Sequence, residues 1–88
     1  MEGESYDEAN LNLKEFLDYI IKAIVDHPDD VTISEVDGEK TVIYELRVNQ
    51  QDMGKVIGKR GQNARAIRTL LSATSGKRHK RSVLEILE

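Results

Sequence analysis

The chain has 88 residues, 39% of them hydrophobic, with a formal net charge of −3 and no cysteine. That length allows one domain around one core, and the lack of cysteine excludes disulfides and thiolate metal sites. No apolar run approaches the roughly 20 residues of a membrane helix and no charged leader precedes an apolar stretch, so the expectation is a cytoplasmic protein with no membrane contact.

Residues 1–11 are acidic, polar and aperiodic, a predicted flexible tail with Asn10 or Asn12 as a helix cap, which leaves residues 12–88 as the single domain. Leu13, Phe16, Leu17, Ile20, Ile21, Ile24 and Val25 recur at the three-and-four spacing of an amphipathic helix, which His27-Pro28 ends. Val31 to Val36 reads as a short strand and Asp37-Gly38 as a two-residue hairpin turn. Lys40 to Asn49 reads as a longer strand with Val42, Tyr44, Leu46 and Val48 on one face. Asp52 is placed to cap a short helix carrying Met53, Val56 and Ile57, which Gly58 interrupts. Past Gly61, Ala64, Ile67, Leu71 and Thr74 fall on one side of a second helix and Arg65, Arg68, Ser72 and Ser75 on the other, with Gly76 as the C-terminal cap. A basic loop, Lys77-Arg78-His79-Lys80-Arg81, leads into a last strand over 82–88, with Val83 and Glu85 on one face and Leu84 and Ile86 on the other. The order helix, strand, strand, helix, helix, strand predicts an α+β fold with helices on one face of a small sheet. Phe16, Tyr19 and Tyr44 are assigned to the core or its rim.

The net charge averages two unlike halves. Residues 1–52 sum to −10 and residues 53–88 to +7, and from Met53 to Arg81 there are nine Lys or Arg and no acid. A cationic field of that kind, centred on two glycines, suits a polyanion despite the acidic pI of 5.4. The centre is Val56-Ile57-Gly58-Lys59-Arg60-Gly61, where glycines admit a close backbone and the free amides of a helix start favour an anion.

Nucleotide-binding loops do not fit. Three residues separate Gly54 from Gly58-Lys59-Arg60 where a phosphate-binding P-loop has four, there is no hydroxyl for magnesium, and the spacing is not that of a dinucleotide fingerprint. His27 and His79 have no partner in the sequence that suggests a nucleophile, and Asp29-Asp30 reads as turn chemistry after Pro28. A binding module rather than an enzyme is expected, with no cofactor or metal.

Ile57-Gly58-Lys59-Arg60-Gly61 resembles the Ile-Gly-x-x-Gly loop of KH domains. With Asp52-Met53-Gly54-Lys55 before it, Arg65-Ala66-Ile67-Arg68 after it and the ending Val83-Leu84-Glu85-Ile86-Leu87, the chain is similar to the small single-KH proteins of the bacterial KhpA family. The resemblance implies a type II KH fold with a three-stranded mixed sheet, and binding of about four nucleotides of single-stranded RNA. It places Gly58, Lys59, Arg60 and Gly61 on the phosphates and Arg65 and Arg68 alongside them. Val56 and Ile57 would floor an apolar groove for the bases, and Lys77, Arg78 and Lys80 would form the opposite lip. It also implies pairing, as a homodimer or with a second KH-containing RNA-binding protein, and a role in post-transcriptional regulation or as an RNA chaperone. The alternative is a protein-interaction or dimerisation module with little RNA binding of its own.

Overall fold

The computed structural model describes residues 13–78 and 80–88, apart from the side chains of 75–78. The acidic segment with Asn10 and Asn12, and His79, lie outside the described residues. Helix α1 (Leu13–Ile24) turns Leu17 and Ile21 inward from one stripe, and both are fully buried. Pro28, with its fixed φ and missing N–H, opens a single 3-10 turn at Pro28–Asp30. Strands β1 (Thr32–Asp37) and β2 (Thr41–Arg47) pair antiparallel, from Thr32 opposite Arg47 to Asp37 opposite Val42. Strand β3 (Arg81–Ile86) lies parallel to β2, with Thr41 beside Arg81 and Leu46 beside Ile86, so β2 is the central strand of a mixed sheet.

The alternation expected of β2 is present. Val42, Tyr44 and Leu46 are buried and share one core with Ile33, Leu84 and the inward side chains of the helices. Each fully buried aliphatic side chain there is worth about 1.5–3 kcal/mol against exposure. Parallel strands cannot be joined by a tight turn, and here two helices, α2 (Met53–Ile57) and α3 (Gln62–Arg78), make the crossover. Val56, Ile67 and Leu71 from these helices enter the same core as Leu17 and Ile21, so all three helices cover one face. On the opposite face Val36, Ile43 and Val83 stand in one row across the strands. The architecture is the type II KH order α-β-β-α-α-β.

Several local expectations are corrected. The Gly38 amide bonds the Thr41 carbonyl at 2.8 Å, so the two-residue turn is Glu39-Lys40, and a Cβ at Gly38 would stand 3.0 Å from that carbonyl oxygen. Helix α3 does not stop at Gly76 but runs on to Arg78, which moves Lys77 and Arg78 from the expected loop into its last turn. One glycine costs about 1 kcal/mol in a helix, less than the packing of a long amphipathic helix supplies. Tyr19 is 76% exposed and Phe16 44%, because the buried stripe of α1 is narrower than its apolar sequence suggests; only Tyr44 reaches the core.

Asp52 is the largest departure. It stands at the start of α2, yet its side chain makes no cap bond there. The carboxylate is buried and turned to the end of α1, accepting the Asp26 amide at 3.1 Å and the His27 amide at 2.9 Å, with the His27 Nδ1 at 3.0 Å. Asn49 caps the preceding 3-10 turn instead, accepting the Gln51 amide at 2.8 Å. Burial pushes the Asp52 carboxyl up, but the Asp26 amide and then the ring and amide of His27 outweigh it and hold the carboxyl below its ordinary value of 3.8.

A carboxyl held down in the folded chain favours folding at every pH above its unfolded value of about 4, and that advantage disappears as pH falls through the lower folded value. Urea midpoints of the wild type and Asp52→Asn are therefore expected to lie farthest apart at neutral pH and to converge in strong acid. A gap that stays constant with pH would show that the charge of Asp52 contributes nothing.

Candidate nucleic-acid interface

The site begins where α2 has to stop. Gly58 has φ 80° and ψ 172°, its amide closes the helix onto the Gly54 carbonyl at 2.8 Å, and a Cβ added to it would lie 2.7 Å from Asn63 Cγ and 2.8 Å from the Asn63 backbone nitrogen. Asn63 Nδ2 fills that space and donates to the Lys55 carbonyl at 2.8 Å, satisfying an acceptor that the end of a short helix leaves open. Lys59–Gly61 then form one 3-10 turn, with the Gly61 amide 3.0 Å from the Gly58 carbonyl. Arg60 within it has φ 55° and ψ 28°, the left-handed region that costs a non-glycine residue on the order of 1 kcal/mol. Arg65 Nη2 donates to the Arg60 carbonyl at 2.8 Å and braces this strained residue from the first turn of α3.

The cations divide into committed and free. Lys55 pairs with Asp26 at 3.3 Å, and Lys80 is drawn away to Asp37 at the hairpin end of β1. Arg68 makes a long contact of 3.4 Å to the Leu84 carbonyl of β3. Lys59 and Arg60 are exposed, and among the described residues their side chains have no hydrogen-bond or ion-pair partner. A cleft of 390 Å³ opens between Lys59, Arg60, Gln62 and Arg65. A second, of 420 Å³, is lined by Ile57, Gly61, Ala64, Arg65, Arg68 and Ile86. Arg65 borders both. The surface is therefore a cationic rim continuous with a partly apolar trough, beside the edge strand β3.

Of the residues expected at the site, Ile57, Gly58, Lys59, Arg60, Gly61, Arg65 and Arg68 lie together. Val56 does not. It is 0% exposed and belongs to the core, because one-turn α2 can turn only one of Val56 and Ile57 inward. Lys80 is held on the hairpin side, and the side chains of Lys77 and Arg78 lie outside the described residues. Ile86, Ala64 and Gln62 were not anticipated. The inward phase of Leu84 and Ile86 was legible, but that Ile86 borders the trough depends on the parallel register of β3.

A family model described as the KH domain of KhpA/KhpB matches residues 14–86. The chain belongs to the KhpA/KhpB family of KH-domain proteins. Similar curated relatives are RNA-binding protein KhpA of Clostridium acetobutylicum, 52% identical over 85% of this chain and 100% of its own, and RNA-binding protein KhpA of Aquifex aeolicus, 53% identical over 86% and 96%. RNA-binding protein KhpA of Borreliella burgdorferi is 51% identical over 84% of this chain and 90% of its own. No solved structure matches the chain. In KH terms the corner Gly58–Gly61 stands in the Gly-x-x-Gly position, and Asn63 takes the space a side chain at its first glycine would need.

Gly54 and Gly58 provide an internal contrast within this KH domain. Gly54 lies inside α2 with open space where a Cβ would be, so Gly54→Ala is expected to stabilise by about 0.4–1 kcal/mol. Gly58→Ala, with a positive φ and Asn63 in the way, is expected to cost about 1–3 kcal/mol. Chemical denaturation measures both, and equal effects would contradict the backbone geometry of the corner.

Proposed function

We propose that this chain binds single-stranded RNA, about four nucleotides at a time, and acts as a binding module without catalysis. The observation that carries the proposal is the pair Lys59 and Arg60, exposed and without a side-chain partner among the described residues, on a glycine-bounded corner beside a trough lined by Ile57 and Ile86. The relatives named as RNA-binding proteins support it. Phosphates pass over the backbone of Gly58 and Gly61, Lys59 and Arg60 neutralise them, and Arg65 extends the contact from α3. Such contacts position a strand without reading it. Bases lie over the trough, with Arg68 along its wall. Among the described residues the exposed aromatics, Phe16 and Tyr19, are on α1 and line neither cleft, so stacking from the folded domain adds little and affinity is modest. A cytoplasmic post-transcriptional regulator or RNA chaperone fits a site that holds RNA weakly and with little sequence discrimination.

With about two to four phosphates neutralised, log affinity falls against log salt with a slope of roughly −1.5 to −3. Lys59→Asp combined with Arg60→Asp is expected to abolish binding of a short single-stranded oligoribonucleotide in a filter or polarisation assay while leaving the circular dichroism unchanged. Retained binding by the folded double variant would put the site elsewhere.

A specific feature also favours pairing with a second copy or a second KH protein. Leu70 on α3 is 50% exposed and borders a shallow, mainly apolar depression with Ala66 and Thr69. Exposed leucines that border a depression of this kind mark contact surfaces more often than isolated ones do. Leu70→Asp is expected to shift a dimer to monomer on size exclusion, and an unchanged elution volume would remove α3 from the interface.

A further inference from the structure

The feature the proposed binding site does not use is the buried carboxylate of Asp52. Helix α2 has only five residues, too few to be stable alone, and it delivers the chain directly to Gly58. Two anchors hold it. Val56 is sunk in the core and fixes how deeply the helix sits. Asp52, at its first turn, is bound to the segment after α1 by three contacts of 3.1, 2.9 and 3.0 Å. Two further polar ties follow the same seam, Asn49 Nδ2 to Asp30 at 2.9 Å and Lys55 to Asp26 at 3.3 Å. Asp52 is the buried member of the seam, and the two backbone amides it accepts leave little freedom to slide or rotate. From Asp52 to the corner the chain covers about 8 Å of helix, so a change in its seating is passed on as a rigid tilt.

We propose that Asp52 is a positioning residue for nucleic-acid binding: by locking the first turn of α2 to the end of α1, it sets where Gly58–Gly61 stand relative to α3 and β3. The binding readout rests on the RNA reading above, but the seating of the corner does not. The alternative, a carboxylate that merely stabilises the fold, leaves the affinity of folded molecules untouched. Simple electrostatics gives the opposite sign, because removing a negative charge near the cationic rim strengthens the attraction for RNA.

The test compares the full wild-type chain with Asp52→Asn and with His27→Ala, which removes the ring contact but keeps both amide bonds. Each is titrated with a short labelled single-stranded oligoribonucleotide at several salt concentrations, and affinity is referred to the folded fraction. Asp52→Asn is expected to bind about tenfold more weakly with an unchanged salt slope, since the same phosphates are met by a less well placed corner. His27→Ala is expected to weaken binding in the same direction by about two- to threefold. In RNA-free spectra of the labelled proteins, amides 58–61 are expected to shift in both variants. Wild-type or tighter affinity in folded Asp52→Asn overturns the proposal. If that variant does not fold, wild-type affinity and unmoved corner amides in His27→Ala overturn it. A wild-type chain that binds no RNA defeats the functional reading alone, and the corner amide shifts then decide the role of Asp52.

Discussion

The arrangement of the whole surface follows from a conflict of volumes at Gly58. The end of α2 leaves carbonyls that need donors, and Asn63, two residues past Gly61 in the first turn of α3, supplies one to Lys55. Its amide can reach Lys55 only by occupying the place where a Cβ at residue 58 would stand. The corner is thus a folded-back loop whose inside is filled by a side chain from its own far end. With the inside full, Lys59 and Arg60 lie on the outer side of the turn, Arg60 in left-handed geometry, and both cations face solvent.

That outward display matters more than the number of basic residues. Nine Lys and Arg lie between Met53 and Arg81, but in the folded chain Lys55, Lys80 and Arg65 each have a partner, and Arg68 reaches toward a carbonyl. Exposed ion pairs of the Lys55 and Lys80 kind contribute at most about 1 kcal/mol, so they do little for stability, yet they remove charge from the surface a polyanion would meet. The free charge is therefore narrower than the sequence implies: among the described residues of that stretch it rests on Lys59, Arg60 and Arg81, and only the first two stand at the glycine corner.

Much of this was legible in the chain itself. Periodicities of 3.6 and 2 gave α1, β2 and the buried side of α3, because each of those patterns is fixed by one packed face. The glycine pair and its cations marked the candidate site, since few backbone environments require such residues together. What escaped depends on contacts between distant segments. Asp52 has the composition and place of a helix cap, and only the approach of residues 26 and 27 shows that its carboxylate belongs to them. Val56 and Ile57 are equivalent as sequence, and the one-turn helix decides between them. Tyr19 lies two residues from both Leu17 and Ile21, off a buried stripe narrower than the apolar pattern, and Gly76 resembles a cap although α3 runs through it to Arg78.

The parallel seating of β3 against β2 also has a kinetic side. The hairpin of β1 and β2 closes over a two-residue turn and can form early, whereas β2 and β3 meet only after both helices between them have been gathered in, at a larger cost in chain entropy. During synthesis the glycine corner leaves the ribosome before β3, which supplies Leu84 to the core under α3 and Ile86 to the edge of the trough. A nascent chain therefore carries the corner's cations before it has a groove, and competence for an ordered complex arrives with the final strand.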